Sequence, residues 1–263
     1  MTLVHDPLLS GRVGGVEFTV LGEGGPVTVF AHGLGGTSGE TRPLALKAPG
    51  TRVLLSFRGH GDSAPLVDGW DYDLLADDLL AVADHVDADC AVGLSLGCGA
   101  LLRVLRDDPD RFARLAFVMP AALDADRTDG ATVRLEQLGA AIDRGDTEAV
   151  TALLLAEVPS HLRARRAVPL LLARRAAALV QKPAPTPRVT DRPVADRTVL
   201  HAVTAPTLVI GQADDPLHPL ALARELADAL PNARLLALSE GGVFWTEAAQ
   251  AQAALADHLE DAS

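Results

Sequence analysis

The chain has 263 residues, 48% hydrophobic and 22% charged, which supplies the core of one large body and leaves too little charge for intrinsic disorder. Its 35 acidic residues against 23 basic ones give a formal charge of -12. Phosphate backbones and anionic lipid surfaces are repelled by that balance, so neither nucleic acid nor membrane is an expected partner.

The opening residues, MTLVHDPLLSGRVGG, lack a basic stretch followed by a long apolar one, and no run approaches a membrane span. A cytoplasmic location is therefore expected. Strands are predicted at Val16–Leu21 and Val27–Ala31. The second leads into His32-Gly33-Leu34-Gly35-Gly36, a loop whose backbone N–H groups could face a developing oxyanion. His32 invites a role as a base, but a histidine opening such a loop is more often a structural hydrogen-bonder.

The next predicted strand, Arg52–Phe57, runs into Ser56-Phe57-Arg58-Gly59-His60-Gly61-Asp62-Ser63. Leu74, Leu75, Leu79, Val82, Ala83 and Val86 then recur at helical spacing behind an N-cap at Asp71 or Asp73. The acids of that helix, among them Asp73, Asp77, Asp78 and Asp84, read as its solvated face.

The strongest local signal follows. An apolar strand, Cys90–Leu94, enters Gly93-Leu94-Ser95-Leu96-Gly97 and then a helical pattern that Asp108-Pro109 stops. A nucleophile on a strand–turn–helix elbow sits at strained φ/ψ with its hydroxyl exposed, and the close strand and helix backbones require small neighbours, here Gly93 and Gly97. Cys90 and Cys98 have neither metal spacing nor a secretory context and read as buried small hydrophobes.

After the predicted strand Leu115–Met119 the alternation of strand and helix lapses from about Asp124 to Val194. Arginine- and leucine-rich helical material gives way there to QKPAPTPRVTDRP, with Pro183, Pro185, Pro187 and Pro193. Strands resume at Thr207–Ile210 and Arg234–Leu238. Such alternation, with continuous apolar runs such as PVTVFA and PTLVIG, predicts a mostly parallel sheet covered by helices on both faces.

These motifs together resemble the α/β-hydrolase superfamily: its H-G-x-G oxyanion loop, its G-x-S-x-G elbow and its R-G-H-G-x-S loop. The resemblance implies an α/β-hydrolase fold, a mostly parallel sheet flanked by helices. Residues 1–123 and 195–263 would form the core and 124–194 an inserted helical lid. It implies Ser95 as nucleophile, the N–H groups of Leu34 and Leu96 as oxyanion donors, and structural roles for Arg58 and His60. It implies no metal and no cofactor.

The family's chain order is serine, acid, histidine. Counting from the strand end in Gly211-Gln-Ala-Asp-Asp-Pro-Leu-His218 selects Asp215 as the acid, whereas counting from Gly211 selects Asp214; Asp215 is preferred. The histidine is expected after the last strand, but Val243 occupies its position, and valine accepts no proton. Three explanations stay open: a surrogate base, of which His218 is the best candidate ahead of His201 and His258; a non-hydrolytic or ligand-binding protein; or an accidental loss.

An apolar pocket is expected from Leu34, Leu96, Leu217, Val243, Phe244 and the leucines of Leu170–Leu179. The resulting expectation is an esterase-like hydrolase acting on a small hydrophobic ester or related carbonyl compound, as a monomer or homodimer.

Overall fold

The computed structural model describes residues 9–66, 68–126, 130–183 and 191–260. The opening eight residues, together with Pro185 and Pro187 of the proline-studded connection, lie outside them. In chain order the elements are β1 (Leu9–Val13), β2 (Val16–Leu21), β3 (Val27–Ala31), α1 (Ser38–Ala45), β4 (Thr51–Ser56), α2 (Tyr72–His85), β5 (Cys90–Leu94), α3 (Leu96–Asp107) and β6 (Arg114–Val118). Then come α4 (Gly130–Asp143), α5 (Thr147–Ala156), α6 (Ser160–Arg163) and α7 (Ala167–Gln181). The chain closes with β7 (Thr207–Gln212), α8 (Leu220–Ala229), β8 (Ala233–Leu238), a π-helical turn at Gly242–Thr246, and α9 (Ala248–Glu260).

The strands form one sheet in the order β1-β2-β4-β3-β5-β6-β7-β8. β2 pairs antiparallel with both β1 and β4, and every later pairing is parallel. Strand β1 is absent from the strands predicted above. Its LSGRV lies on the sheet edge, mostly exposed, and so carries no apolar run to mark it.

Alternate side chains of the central strands enter two apolar layers. Val29, Val53, Ala91, Phe117 and Val209 meet α2, α3 and α8 on one face. Phe30, Leu54, Val92, Val118 and Ile210 meet α1 and α9 on the other. Strands buried on both faces need no polar alternation, which is why they read as continuous apolar runs.

Helix α2 begins at Asp71, whose side chain accepts the Leu74 N–H at 2.8 Å, so the cap is Asp71 and not Asp73. One expectation on this helix is corrected. Asp78 is only 1% exposed, because it falls on the same stripe as Leu75, Leu79 and Val82. It accepts the Arg58 N–H at 2.8 Å and pairs with the guanidinium, tying the Arg58–Ser63 loop to the helix. Burial pushes its carboxyl up, against the pull of Arg58.

Between β6 and β7, helices α4 to α7 build a third apolar cluster from Ala141, Val150, Leu154, Leu162, Leu172 and Leu179, among others. Behind it, the chain returning to the sheet is fastened by buried Arg103. Its guanidinium donates to Asp73, Asp191, the Arg192 carbonyl and the Pro193 carbonyl.

Candidate active site

Strand β5 delivers Ser95 to the mouth of the sheet and α3 starts at once behind it. Ser95 sits at φ 51°, ψ -107°, a conformation that costs an L-residue roughly 1–3 kcal/mol and persists because the surrounding packing fixes it. The two glycines make the crossing feasible. A Cβ on Gly93 would lie 2.6 Å from the Gly97 carbonyl oxygen, and one on Gly97 would lie 2.4 Å from that of Ala31.

The loop after β7 brings two further groups to the serine. His218 Nε2 lies 2.9 Å from Ser95 Oγ, and His218 Nδ1 lies 3.0 Å from Asp215 Oδ2. A carboxylate has no proton to give, so Nδ1 is the donor to Asp215 and Nε2 is left to accept the Ser95 hydroxyl. Asp215 Oδ1 accepts the N–H groups of Leu217 and His218 at 2.8 and 3.0 Å. Burial works to raise the Asp215 carboxyl, but these hydrogen bonds and the imidazole prevail, and it lies below its ordinary value. Asp214 is exposed at φ 54° and makes no hydrogen bond to His218.

Val243 is 1% exposed, and its side chain belongs to the apolar layer that contains Leu94, Ile210 and Leu238. Phe244 packs against the same layer and Trp245 against the helical cluster. Val243 is therefore core and not the pocket wall expected from the sequence, and Phe244 is half-buried against the same layer. The backbone of Val243 faces the site. Its N–H donates to Gln212 Oε1 at 3.1 Å, and Gln212 Nε2 donates to Asp215 Oδ2 at 2.8 Å. Gln212 escaped sequence reasoning, although a polar residue ending the buried run TLVIGQ was a usable signal.

Across from the histidine, the loop after β3 is fixed from both ends. The His32 ring is fully buried, bonded through Nδ1 to the Gly33 carbonyl at 2.7 Å and through Nε2 to the Phe57 N–H at 3.0 Å. Burial lowers it to about 4, so it is neutral and its nitrogens are occupied. His60 is likewise buried and lowered to about 4, chiefly by burial, with Nδ1 3.3 Å from the Arg58 carbonyl. The Gly33 N–H donates to Glu40 at 2.9 Å and that of Gly97 to the His32 carbonyl at 3.1 Å. The N–H groups of Leu34 and Leu96 have no hydrogen-bond partner among the described residues. Of the other histidines, His201 lies exposed on the turn before β7, and His258 is buried on α9 against the Leu115 carbonyl, 2.9 Å away.

A cavity of about 310 Å³ opens between this loop, the Gly59–Gly61 turn and α7. Ser95, His218, Leu34 and Leu96 do not line it, so it is a neighbouring space and not the pocket expected around the serine. Glu40, Arg175 and Lys182 line it alongside Leu179 and Ala178, and Arg175 donates to Glu40 at 2.7 Å. Of the α7 leucines, Leu172 and Leu179 are buried in the helical cluster, whereas Leu170 and Leu171 are exposed. Glu157, after α5, is open to water yet enclosed enough that its carboxyl is raised, with Arg175 and His218 near enough to oppose the rise.

Comparison with known proteins follows the same lines. A family model described as "Alpha/beta hydrolase family" matches residues 28–257. The dihydrolipoyllysine-residue acetyltransferase component of the acetoin cleaving system of Pseudomonas putida is 36% identical over 111 residues, 40% of this chain and 30% of that protein. The chain thus matches less than a third of that relative's length. Among solved structures, the enol-lactonase from Burkholderia xenovorans LB400 superposes with a TM-score of 0.73 at 22% identity, covering 96% of this chain and 100% of that one. A thermophilic esterase from Thermogutta terrifontis gives 0.72 at 16% identity, covering 97% and 98%. With a family match over most of its length and the same fold in these structures, the chain belongs to the alpha/beta hydrolase family.

Proposed function

We propose that the protein is a serine hydrolase of the esterase class, with Ser95 as nucleophile, His218 as general base and acid, and Asp215 orienting the imidazole. The observation that carries this reading is the continuous chain from Ser95 Oγ to His218 at 2.9 Å and on to Asp215 at 3.0 Å. His218 takes the hydroxyl proton as Oγ attacks a carbonyl carbon, and the imidazolium is stabilised by Asp215. Negative charge developing on the carbonyl oxygen is met by the N–H groups of Leu34 and Leu96, each worth roughly 2.7–4 kcal/mol in such a role. His218 then returns the proton to the departing alkoxide, and water, activated by the same imidazole, releases the acid from Ser95.

Beside the proposed oxyanion donors, Glu40 accepts the Gly33 N–H and is neutralised by Arg175, which favours a substrate without net charge. Helices α4 to α7 act in this reading as a lid over the site. The competing expectation, a non-hydrolytic enzyme or ligand-binding protein, rests on Val243, and the 2.9 Å approach of His218 to Ser95 favours the hydrolase over it.

The test is hydrolysis of short p-nitrophenyl esters. Ser95→Ala and His218→Ala should each lower kcat by at least about 10³-fold with the melting temperature retained. Full activity in either variant would remove that residue from the mechanism.

A further inference from the structure

Every group of the proposed trio had been anticipated in the sequence, but the amide that touches it had not. We infer that Gln212 is a positioning residue for catalysis: it fixes the one carboxylate oxygen of Asp215 that holds the imidazole. The inference rests on the reading of Ser95, His218 and Asp215 given above.

The argument begins with what a buried amide requires. Gln212 ends β7 with 8% of its surface exposed, so both ends of its side chain need partners. Each has one. Oε1 accepts the Val243 N–H at 3.1 Å and Nε2 donates to Asp215 Oδ2 at 2.8 Å. The orientation is dictated by chemistry, since the reversed amide would set NH₂ against N–H and oxygen against carboxylate.

The two oxygens of Asp215 are held differently. Oδ1 is anchored by the N–H groups of Leu217 and His218 within its own loop. Those bonds leave the carboxylate able to pivot about Oδ1. Oδ2, which faces His218 Nδ1, is held from outside the loop by Gln212. The position from which the family's histidine is missing thus still serves the site: the Val243 backbone holds the amide that holds the acid.

A brace that merely joined β7 to the π-helical turn would affect folding stability alone. A positioning residue also sets the rate and the proton affinity of the base. Without the amide donor, Oδ2 keeps more of its negative charge and favours the protonated imidazole, so activity should be lost at a higher pH than in the parent. The other charges around the imidazole are Glu157 after α5, and Arg175 of α7 and Arg134 of α4 acting on Glu157. None of them is altered by substituting Gln212.

The experiment is the pH profile of kcat for p-nitrophenyl ester hydrolysis by the parent, Gln212→Met and Gln212→Glu. Gln212→Met keeps the length but offers Asp215 no donor. It should lower plateau kcat by about tenfold or more, leave KM within about threefold, and move the acid midpoint up by about half a pH unit. Gln212→Glu keeps an acceptor for Val243 and donates only while protonated, so its activity should peak just above the acid midpoint and then fall towards alkaline pH, where the parent holds its plateau. It also serves as the reading if Gln212→Met does not fold. An active parent with rate and midpoint unchanged in a folded variant would overturn the inference alone. An inert parent would overturn the hydrolase reading and the inference with it.

Discussion

Asp215 and Asp214 are neighbours with opposite fates. Asp215 accepts from two backbone N–H groups, the Gln212 amide and the His218 ring, whereas Asp214 points to solvent in the left-handed region. Asp215→Asn would set an amide against an imidazole N–H and should reduce kcat by about 10³–10⁴-fold. Asp214→Asn should stay within about twofold, and equal losses in kinetic assays would contradict the assignment. The residues of this site that were legible in the sequence, Ser95 with its glycines above all, are those whose role demands a particular backbone. Gln212, Glu40 and Glu157 were not legible, because their importance arises only from what the fold places beside them.

At the scale of elements, the proposed mechanism draws both acid and base from the loop after β7, since Asp215 and His218 are three residues apart and share one turn of chain. The loop after β8 coils into a π-helical turn that buries Val243. Val243→His would push an imidazole into an apolar layer and should cost about 2 kcal/mol or more in stability, with no gain in ester hydrolysis while His218 remains. Urea midpoints and kcat together check this, and a faster, equally stable variant would show that the position still addresses the serine.

Helix α7 makes a second element-level contribution, because Arg175 neutralises Glu40 beside the proposed oxyanion donors. Arg175→Met should lower kcat by about tenfold while changing the melting temperature little, since such an exposed pair is worth about 1 kcal/mol or less. Unchanged kcat would mean the Glu40 charge is not felt at the reacting carbonyl. The sequence foresaw helices in this segment from composition, but not which leucines face inward. Leu170 and Leu171 differ from Leu172 only in their angle around the helix, which the neighbouring helices fix.

For the whole molecule, two buried neutral histidines tie stability to pH. His32 and His60 are lowered from 6.5 to about 4, so the folded state refuses protons that the unfolded chain accepts below about 6.5. Their contribution is complete above that pH and is lost as pH falls through about 4, at up to about 3 kcal/mol for each ring. Asp78 and Glu157, both raised, oppose the loss over part of the same window. Urea unfolding should show stability falling by at least about 2 kcal/mol between pH 7 and 4.5, and a flat profile would mean the rings protonate in place. The mostly parallel sheet followed from strand and helix alternation. The edge strand β1 did not, for want of a buried face.

The central claim is that His218 activates Ser95 in place of the histidine missing at Val243. A fluorophosphonate reagent tests it without knowledge of the substrate, because it reacts with an activated serine. Peptide mass spectrometry of the labelled parent should find the adduct on Ser95, formed at least about 10³-fold faster than in folded His218→Ala. Equal labelling rates in the parent and His218→Ala would contradict the account.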